Sequence, residues 1–424
     1  MFYTSKKWMY FLLPSSIAAE GLHIVVPLYI LFLGGTIVEV GISTAIIYGF
    51  SAIGAIFWGK IIDKFHVKRI ILIISFLAIS LSNILLFFTS EITSVFLIST
   101  LIGFFVIAKN PVTQLLVMET VPNNQWSKLF ALTSIMTVLG SLIAFIVGSF
   151  WESFFDLGPY FLFCAAFSIF STILSITVKK SSFLERTTIT HSVHGLRYLF
   201  SSFRFNFHLF FPKIPKSRDF NQIIVLLRGK AKNELGLLLL SNFFFYFGSN
   251  AFFTAFIPFL KTNQFSNSSV FQVYLFQTVT LLAVFYVVPR ITARIGEEKS
   301  AKLAYIPRVC GILVAALLIP ITIGIQSFVV ATIAGCLMIV AFSVFNTSNS
   351  IILFKTIPRG FEGTYLGTNS FMIGIGIFAG ALTASYVTSA FGYNVLFFTA
   401  ISMLFVSFFL FQSFFKNKLS HREI

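Results

Sequence analysis

Apolar stretches long enough to cross a membrane recur along the whole chain, separated by short polar segments. A hydrocarbon core about 30 Å thick needs about 20 residues of helix. Twelve such stretches occur, six before residue 179 and six after residue 233. They predict an all-α membrane protein with twelve transmembrane helices and with both termini on one side. The predicted spans are 8–33, 41–58, 70–88, 93–117, 129–150, 158–178, 235–260, 268–288, 301–324, 327–350, 364–388 and 393–415.

The two groups of spans predict four regions. Six-helix bundles cover residues 1–178 and 234–415, a basic cytoplasmic linker covers 179–233, and a tail covers 416–424. The linker interleaves basic and aromatic residues, as between Arg197 and Arg204. That pattern favours a segment lying on an anionic membrane surface, and a flexible connection between the bundles is the alternative.

Composition agrees with a membrane protein. Hydrophobic residues make up 57% of the chain, charged residues only 10%, and the mean hydropathy is +0.92. Because roughly a quarter of the residues in a soluble domain are charged, these values exclude a soluble globular protein. The three cysteines lie in apolar runs without metal-ligand spacing, so we expect no metal site and no cofactor.

The basic residues are unevenly distributed. The formal net charge is +16, and the twelve-span map puts 27 of the 30 lysines and arginines on the side of the termini. By the positive-inside rule, the N- and C-termini are cytoplasmic, and we expect a multi-pass protein of the plasma membrane. The charge is therefore a topology signal. It predicts the lipid bilayer as a partner and argues against nucleic acid.

The two groups of spans also resemble each other in sequence. At offsets of 230 to 236 residues, Pro27 matches Pro258, Gly140 matches Gly376, and Pro122 matches Pro358. Ordered matches of this kind are typical of transporters built from repeated bundles. We therefore expect two pseudo-symmetric six-helix bundles.

The loop between the second and third spans carries a specific motif. It follows the pattern GxxxD[RK]xGx[RK][RK], with His66 where the pattern has its second glycine. With this motif the sequence resembles the major facilitator superfamily across nearly its whole length. The matching residues are Gly59, Asp63, Lys64, Lys68 and Arg69.

Two further family patterns are present in part. The fourth span keeps Gly103, Pro111 and Glu119 but has Ser99 where the family has arginine. In the fifth span, Ala144 and Phe145 replace the glycine-proline pair of proton-linked exporters. The resemblance therefore implies a transporter and leaves the direction of transport open.

The resemblance implies a role for the loop motif in gating. In the family this loop packs on the start of the eleventh span, here near Gly363, and stabilises one access state; fixing topology is the alternative role. Glu119 and Lys128 lie close in sequence. They are expected to form either an ion pair that breaks between states or a surface salt bridge of little energetic value.

Two charges fall deep within predicted spans, where lipid makes them costly and functional roles are common. Glu20 in the first span and Lys109 in the fourth lie at similar depths, and His23 shares a helix face with Glu20. If an anionic substrate took Lys109 as its partner, a proton would neutralise Glu20, because burial disfavours an uncompensated charge. A permanent pair that holds two helices together is the alternative. Pro111, beside Asn110, predicts a kink there.

The second bundle offers uncharged polar side chains. We expect them to line the same cavity, with interhelical hydrogen bonds as the alternative. Arg308 is expected to extend toward the cytoplasmic surface. The candidate residues are Asn242, Tyr246 and Asn250 in the seventh span, and Ser343, Asn346 and Asn349 in the tenth.

Together these features predict a monomeric secondary active transporter that moves a small molecule by alternating access, coupled to protons. Export of drug-like or lipophilic compounds is the first hypothesis, and uptake of a sugar, organic acid or other nutrient is the alternative. A membrane-embedded transferase is a second alternative. Because the loops hold only isolated acids, we do not expect an enzyme.

Overall fold

The computed structural model describes residues 6–65, 67–121, 126–178, 234–356 and 362–420. The predicted linker 179–233 and the last four residues of the predicted tail lie outside them. Within the described helices, the side chains of Asp63, Lys64 and Lys128 are also outside the description.

The N-terminal half begins with a short 3-10 turn that leads directly into the first membrane helix. The elements are the turn Lys6–Phe11, α1 (Leu12–Phe32), α2 (Ile37–Phe65), α3 (Lys68–Phe88), α4 (Ile92–Val106), α5 (Lys109–Thr120), α6 (Trp126–Trp151) and α7 (Tyr160–Ser175).

The C-terminal half repeats this arrangement. Its last long helix contains Gly392 at φ +83°, a backbone conformation that no helix continues through, so two helices meet there. The elements are α8 (Glu234–Thr262), α9 (Asn267–Ile295), α10 (Glu297–Leu303), α11 (Tyr305–Leu318), a 3-10 turn Ile319–Ile321, α12 (Ile325–Thr356) and α13 (Glu362–Ser420).

The predicted fold class is confirmed: the described residues are helical and contain no strand. Ten of their helices are long and apolar enough to cross a membrane. The sixth predicted span corresponds to α7, a shorter apolar helix of 16 residues, and the last two share α13. The number of twelve crossings therefore stays a prediction.

The fourth span is interrupted next to its buried lysine. Ile107 and Ala108 separate α4 from α5, and the N–H of Asn110 donates to the carbonyl of Ile107 at 3.1 Å. Pro111 has no N–H to donate to that carbonyl. The kink predicted from Pro111 is thus present, and it places Lys109 at the start of a new helix.

The internal repeat is visible in two matching helix contacts. A Cβ on Gly140 would lie 2.5 Å from the carbonyl oxygen of Leu13, and one on Gly376 would lie 2.6 Å from that of Phe243. Each glycine thus lets the fifth span of its half pack directly on the backbone of the first. The sequence match between these two glycines therefore reflects the same packing in both halves.

The halves contact each other on the side away from the termini, here called the distal side. Near the distal end of α2, a Cβ on Gly41 would clash with Ser385 Oγ at 1.6 Å. Near the distal end of α6, one on Gly148 would lie 2.3 Å from the ring of Phe271. Missing side chains at these glycines allow the close approach of α2 to α13 and of α6 to α9.

Gly103 provides a test of close packing within the N-terminal half. A Cβ there would lie 2.3 Å from the backbone oxygen of Ile47. Gly103→Val should therefore separate α2 from α4 and lower the free energy of unfolding by about 1–3 kcal/mol, measured by denaturation of the purified protein in detergent. Gly236→Val is the control, since a Cβ at Gly236 meets no atom within 4 Å. Equal losses in both variants would contradict the packing assigned to Gly103.

Candidate functional site

Polar side chains from the first, second and fourth spans converge inside the N-terminal half. Glu20 on α1 interacts electrostatically with Lys109 at the start of α5 and with Tyr48 on α2. The Tyr48 hydroxyl lies 3.5 Å from Nε2 of His23. These four residues are called the charged cluster below. The sequence pointed to three of them, and Tyr48 is added by the structure.

Glu20 and Lys109 are near each other without forming a direct salt bridge. Their charged atoms are not among the ion pairs within 4.0 Å that the described residues form. Opposite charges still attract strongly over longer distances where the local dielectric constant is low. Lys109 therefore balances the carboxylate electrostatically without a direct contact between the two charged groups.

The charged cluster is open rather than sealed. His23 and Asn110 are exposed although both lie within predicted spans, and Glu20 and Lys109 are partly exposed. A position deep in a span normally faces either lipid or a neighbouring helix. Exposed polar side chains thus lie beside two partly exposed charges, and the space that they border is the candidate cleft.

A second polar group lies on the corresponding spans of the C-terminal half. The hydroxyl of Tyr246 on α8 donates to Oδ1 of Asn346 on α12 at 3.2 Å, and Asn346 is exposed. Asn346 follows Asn110 at the same offset that relates Gly140 to Gly376. The repeat thus places an exposed asparagine at matching positions of the two halves.

The remaining amides predicted for the cavity lie between helices. Nδ2 of Asn242 donates to Asn369 Oδ1 at 2.7 Å, and Nδ2 of Asn250 donates to the Ile377 carbonyl at 2.8 Å. Both bonds join α8 to α13. Asn349 on α12 is buried. These placements match the interhelical alternative, so the exposed polar surface of this half is narrower than the sequence pattern indicated.

Arg308 on α11 corrects an expectation, because it does not extend to the surface. Its side chain is 1% exposed. Nε donates to Ser249 Oγ at 3.0 Å, and Nη1 donates to the Met338 carbonyl at 2.7 Å. Both partners are distant in sequence. The depth of Arg308 in its span was the single signal that could have indicated burial.

Tyr274 on α9 connects the C-terminal half to the charged cluster. It interacts electrostatically with Tyr48, and its ring lies 6.1 Å from that of Phe145. Sequence analysis missed both tyrosines. Thirteen tyrosines occur in the chain, and neither has a charged neighbour in sequence that would distinguish it.

The gating motif contains an ion pair within one half. Lys68 at the start of α3 pairs with Glu119 at the end of α5, and Lys68 is almost completely buried. Arg69 is partly buried. Glu119 thus has Lys68 as its described partner, whereas the sequence indicated Lys128, whose side chain is not described.

The C-terminal half contains the same connection with the charges exchanged. Glu297 at the start of α10 pairs with Lys355 at the end of α12, at 2.6 Å. Lys355 is the repeat counterpart of Glu119. Each pair joins helices of a single half, so each strengthens its own half and does not bridge between them.

Gly59 makes no close contact with a described residue. No atom of a described residue lies within 4 Å of the position that its Cβ would occupy. The gating role that the resemblance implies for this motif stays a prediction, because residues 357–361, which precede the eleventh span, lie outside the described residues. Gly103 packs on the backbone of Ile47 and brings α2 close to α4.

A direct hydrogen-bonded connection joins the halves on the distal side. The carboxylate of Glu152, just after α6, accepts from Asn267 Nδ2 at 3.0 Å and from the Ser268 N–H at 3.1 Å. Lys261 donates to Asn267 Oδ1 at 3.0 Å. A carboxylate is favoured there because the helix N-terminus of α9 carries partial positive charge. Glu152, Lys261, Asn267 and Ser268 are called the distal link.

The architecture and the cluster define a multi-pass helical membrane protein of the transporter class. The family model of the Major Facilitator Superfamily matches residues 1–347. The chain belongs to the major facilitator superfamily and is a membrane transporter with a small-molecule substrate. No curated protein matches the sequence significantly.

Solved structures share the fold over almost the whole chain at low sequence identity. A mutant of the nucleoside transporter NupG matches with a TM-score of 0.74 and 13% identity, covering 96% of this chain and 98% of that one. The human organic anion transporter MFSD10 (TETRAN) matches with a TM-score of 0.64 and 14% identity, covering 96% of this chain and 98% of that one. A bacterial homolog of the human lysosomal transporter Spinster, in an inward-facing and unoccupied conformation, matches with a TM-score of 0.67 and 12% identity. The match covers 97% of each chain. At these identities the likeness shows the fold alone.

The Lys68–Glu119 pair predicts an asymmetric effect on stability. Glu119→Gln leaves the buried ammonium of Lys68 without its carboxylate, which should lower the free energy of unfolding by about 1–3 kcal/mol. Exchanging the two residues, Lys68→Glu with Glu119→Lys, should recover most of the lost stability. The C-terminal half already has this order of charges in its Glu297–Lys355 pair. Denaturation of the purified protein measures both.

Glu298→Gln is the matched control for that comparison. Glu298 pairs with Lys302 one helical turn away, and both side chains are about one third exposed, at 38% and 30%. A pair of this kind contributes little in water. A loss in Glu298→Gln as large as that in Glu119→Gln would refute the importance assigned to the buried lysine.

The distal link predicts faster amide exchange at the start of α9. Glu152→Gln removes the charge that accepts the Ser268 N–H. Since such a contact contributes about 0.3–1 kcal/mol, hydrogen–deuterium exchange of the peptide containing Ser268 should accelerate a few-fold. Glu91→Gln, an exposed acid on the same side of the N-terminal half, should leave that peptide unchanged. Unchanged exchange in Glu152→Gln would remove the carboxylate from the contact between halves.

Proposed function

We propose that this transporter couples solute movement to protons through Glu20, with Lys109 as the partner that the solute competes for. The observation that carries the proposal is the arrangement of these two side chains. They interact electrostatically across α1 and α5 without a direct ion pair, and both are partly exposed. A carboxylate in this position can exchange a proton when its compensating charge is withdrawn.

The proposed substrate cavity is the cleft between the two polar groups. His23, Asn110 and Asn346 are exposed within it, and Tyr246 is bound to Asn346. Transporters with repeated bundles commonly bind their substrate near the membrane midplane between the repeats. The matching asparagines of the two halves support this location, and so does the break in the fourth span beside Lys109.

The conformation supports an alternating-access cycle. The described contacts between the halves include the glycine contacts of Gly41 and Gly148 and the distal link, all on the distal side. We assign the termini to the cytoplasm on the charge distribution, so this state is closed to the outside. Opening outward would require the halves to rock apart there.

The ion pairs inside each half support rocking as a rigid body. Lys68–Glu119 and Glu297–Lys355 each join neighbouring helices at the side of the termini. Neither has to break when the halves move relative to each other. We propose that the moving units are the six-helix bundles at 1–178 and 234–415. The protein is proposed to be a monomer in the plasma membrane. Its loop motif, which includes Asp63 and Lys64, is proposed to favour one access state.

The cycle starts with a solute entering the cleft and contacting Lys109. Glu20 then loses part of its compensating charge and binds a proton. With the carboxylate neutral, the halves can separate on the distal side at a lower electrostatic cost. The same steps work in either direction, so export of a lipophilic compound and uptake of a nutrient use one mechanism.

Glu20→Gln should separate solute exchange from proton coupling. A ligand is first identified by stabilisation of the purified protein, at one pH below and one above neutrality. In proteoliposomes, wild-type protein should accumulate that ligand under a pH gradient. The variant should retain counterflow but lose most gradient-driven accumulation. Glu39→Gln is the control, because Glu39 lies outside the charged cluster. Its carboxylate accepts from the Thr36 N–H at the start of α2. Gradient-driven accumulation that survives in Glu20→Gln would exclude Glu20 as the proton site.

A further inference from the structure

The charges embedded in the spans do not balance. Away from the ends of the predicted spans, the described residues include three charged side chains: Glu20, Lys109 and Arg308. Glu20 compensates Lys109, with which it interacts. One positive charge, that of Arg308, is left over in a region where uncompensated charge is costly.

The surroundings of Arg308 stabilise its guanidinium without neutralising it. Its described hydrogen-bond acceptors are the Ser249 hydroxyl and the Met338 carbonyl. The rings of Phe245 and Phe253 lie on it, each 5.3 Å from the guanidinium carbon. Aromatic faces attract a cation, but none of these groups carries a negative charge. No carboxylate among the described residues pairs with Arg308.

The charge of Arg308 lies just behind the exposed polar group of the C-terminal half. Arg308 interacts electrostatically with Tyr246, and Tyr246 donates to the exposed Asn346. Phe245, which contacts the guanidinium, stacks on Phe345 with ring centroids 3.6 Å apart. Apolar rings around a charge lower the local dielectric constant, so they screen its potential less than water would.

Lys109 supplies the second cation, in the N-terminal half. It is partly exposed and lies next to the exposed Asn110, and the helix break at Ile107 and Ala108 places it at a helix start. An anion that contacts Lys109 would therefore enter a cleft that already carries one excess positive charge. A neutral solute would leave that excess uncompensated, and a cation would increase it.

We propose that the transported solute is an anion, bound directly by Lys109 and selected by the fixed positive charge of Arg308. This inference rests on the proposed function, because it names the substrate class of the same cleft. Arg308 is a specificity-determining residue that acts through the potential it creates and does not contact the solute. Before Glu20 takes up its proton, a single negative charge on the solute balances the three embedded charges.

Matched compounds that differ in charge test the proposal on the purified full-length protein. The probes are benzoate, benzamide and benzylamine, together with 2-naphthoate, 2-naphthamide and 2-naphthylmethylamine. Thermal stabilisation across a concentration series yields an apparent Kd for each. We expect the carboxylate of at least one series to bind about tenfold more tightly than its amide, which is about 1.4 kcal/mol, and the amine to bind most weakly.

Variants assign that preference to the two cations. Lys109→Gln should abolish binding of the carboxylate, and Arg308→Gln should reduce the preference for carboxylate over amide several-fold. Arg308→Lys keeps the charge and should retain the preference even if its melting temperature falls. Arg290→Gln, which removes an exposed arginine on α9, should behave as wild type.

Either of two results would overturn the proposal. One is the lack of a preference for the carboxylate in both series. The other is a preference that survives in both Lys109→Gln and Arg308→Gln. Counterflow of the bound probes in proteoliposomes separates this proposal from the transport cycle. If an amide is bound and transported as well as its carboxylate, the anionic substrate class is refuted and the transport cycle is supported. If a carboxylate binds preferentially but shows no counterflow, the anion preference is supported and the transport cycle is refuted.

Discussion

A charge inside a membrane has no water to stabilise it, and this constraint explains the placement of the polar groups. Glu20 and Lys109 compensate each other at a distance across α1 and α5. Arg308 lies instead among a hydroxyl, a carbonyl and two aromatic rings. Because such burial is costly, the few side chains that bear it define the candidate site. The other ionised groups discussed here lie at helix ends.

The described ion pairs of the motif regions lie within the halves, and the hydrogen-bonded distal link lies between them. The buried Lys68–Glu119 pair and its counterpart Glu297–Lys355 each join helices of one half. The distal link depends on an exposed carboxylate at a helix N-terminus, a contact of modest energy. The proposed alternating-access cycle requires this division, with contacts inside each half that persist and contacts between the halves that can separate.

Features that depend on neighbours along the chain were predictable. The apolar spans, the kink at Pro111 and the match between Gly140 and Gly376 all follow from local composition or from spacing within the repeat. The contact of Gly103 with Ile47 was not predictable, because a glycine shows that close packing is possible and not which helix packs there. The partner of Glu119 was missed for a similar reason, since Lys68 lies two spans earlier in the sequence.

The sequence by itself determined an all-helical membrane protein, its duplicated organisation and the pair Glu20 and Lys109, because hydrophobic length and misplaced charge are local properties. The tertiary structure decided which polar residues face the cleft. It turned Asn242 toward Asn369, left Asn346 exposed and brought Tyr48 to Glu20. It also buried Arg308 against partners from two other helices. Such contacts depend on how helices rotate and pack against each other, and no single span encodes that rotation.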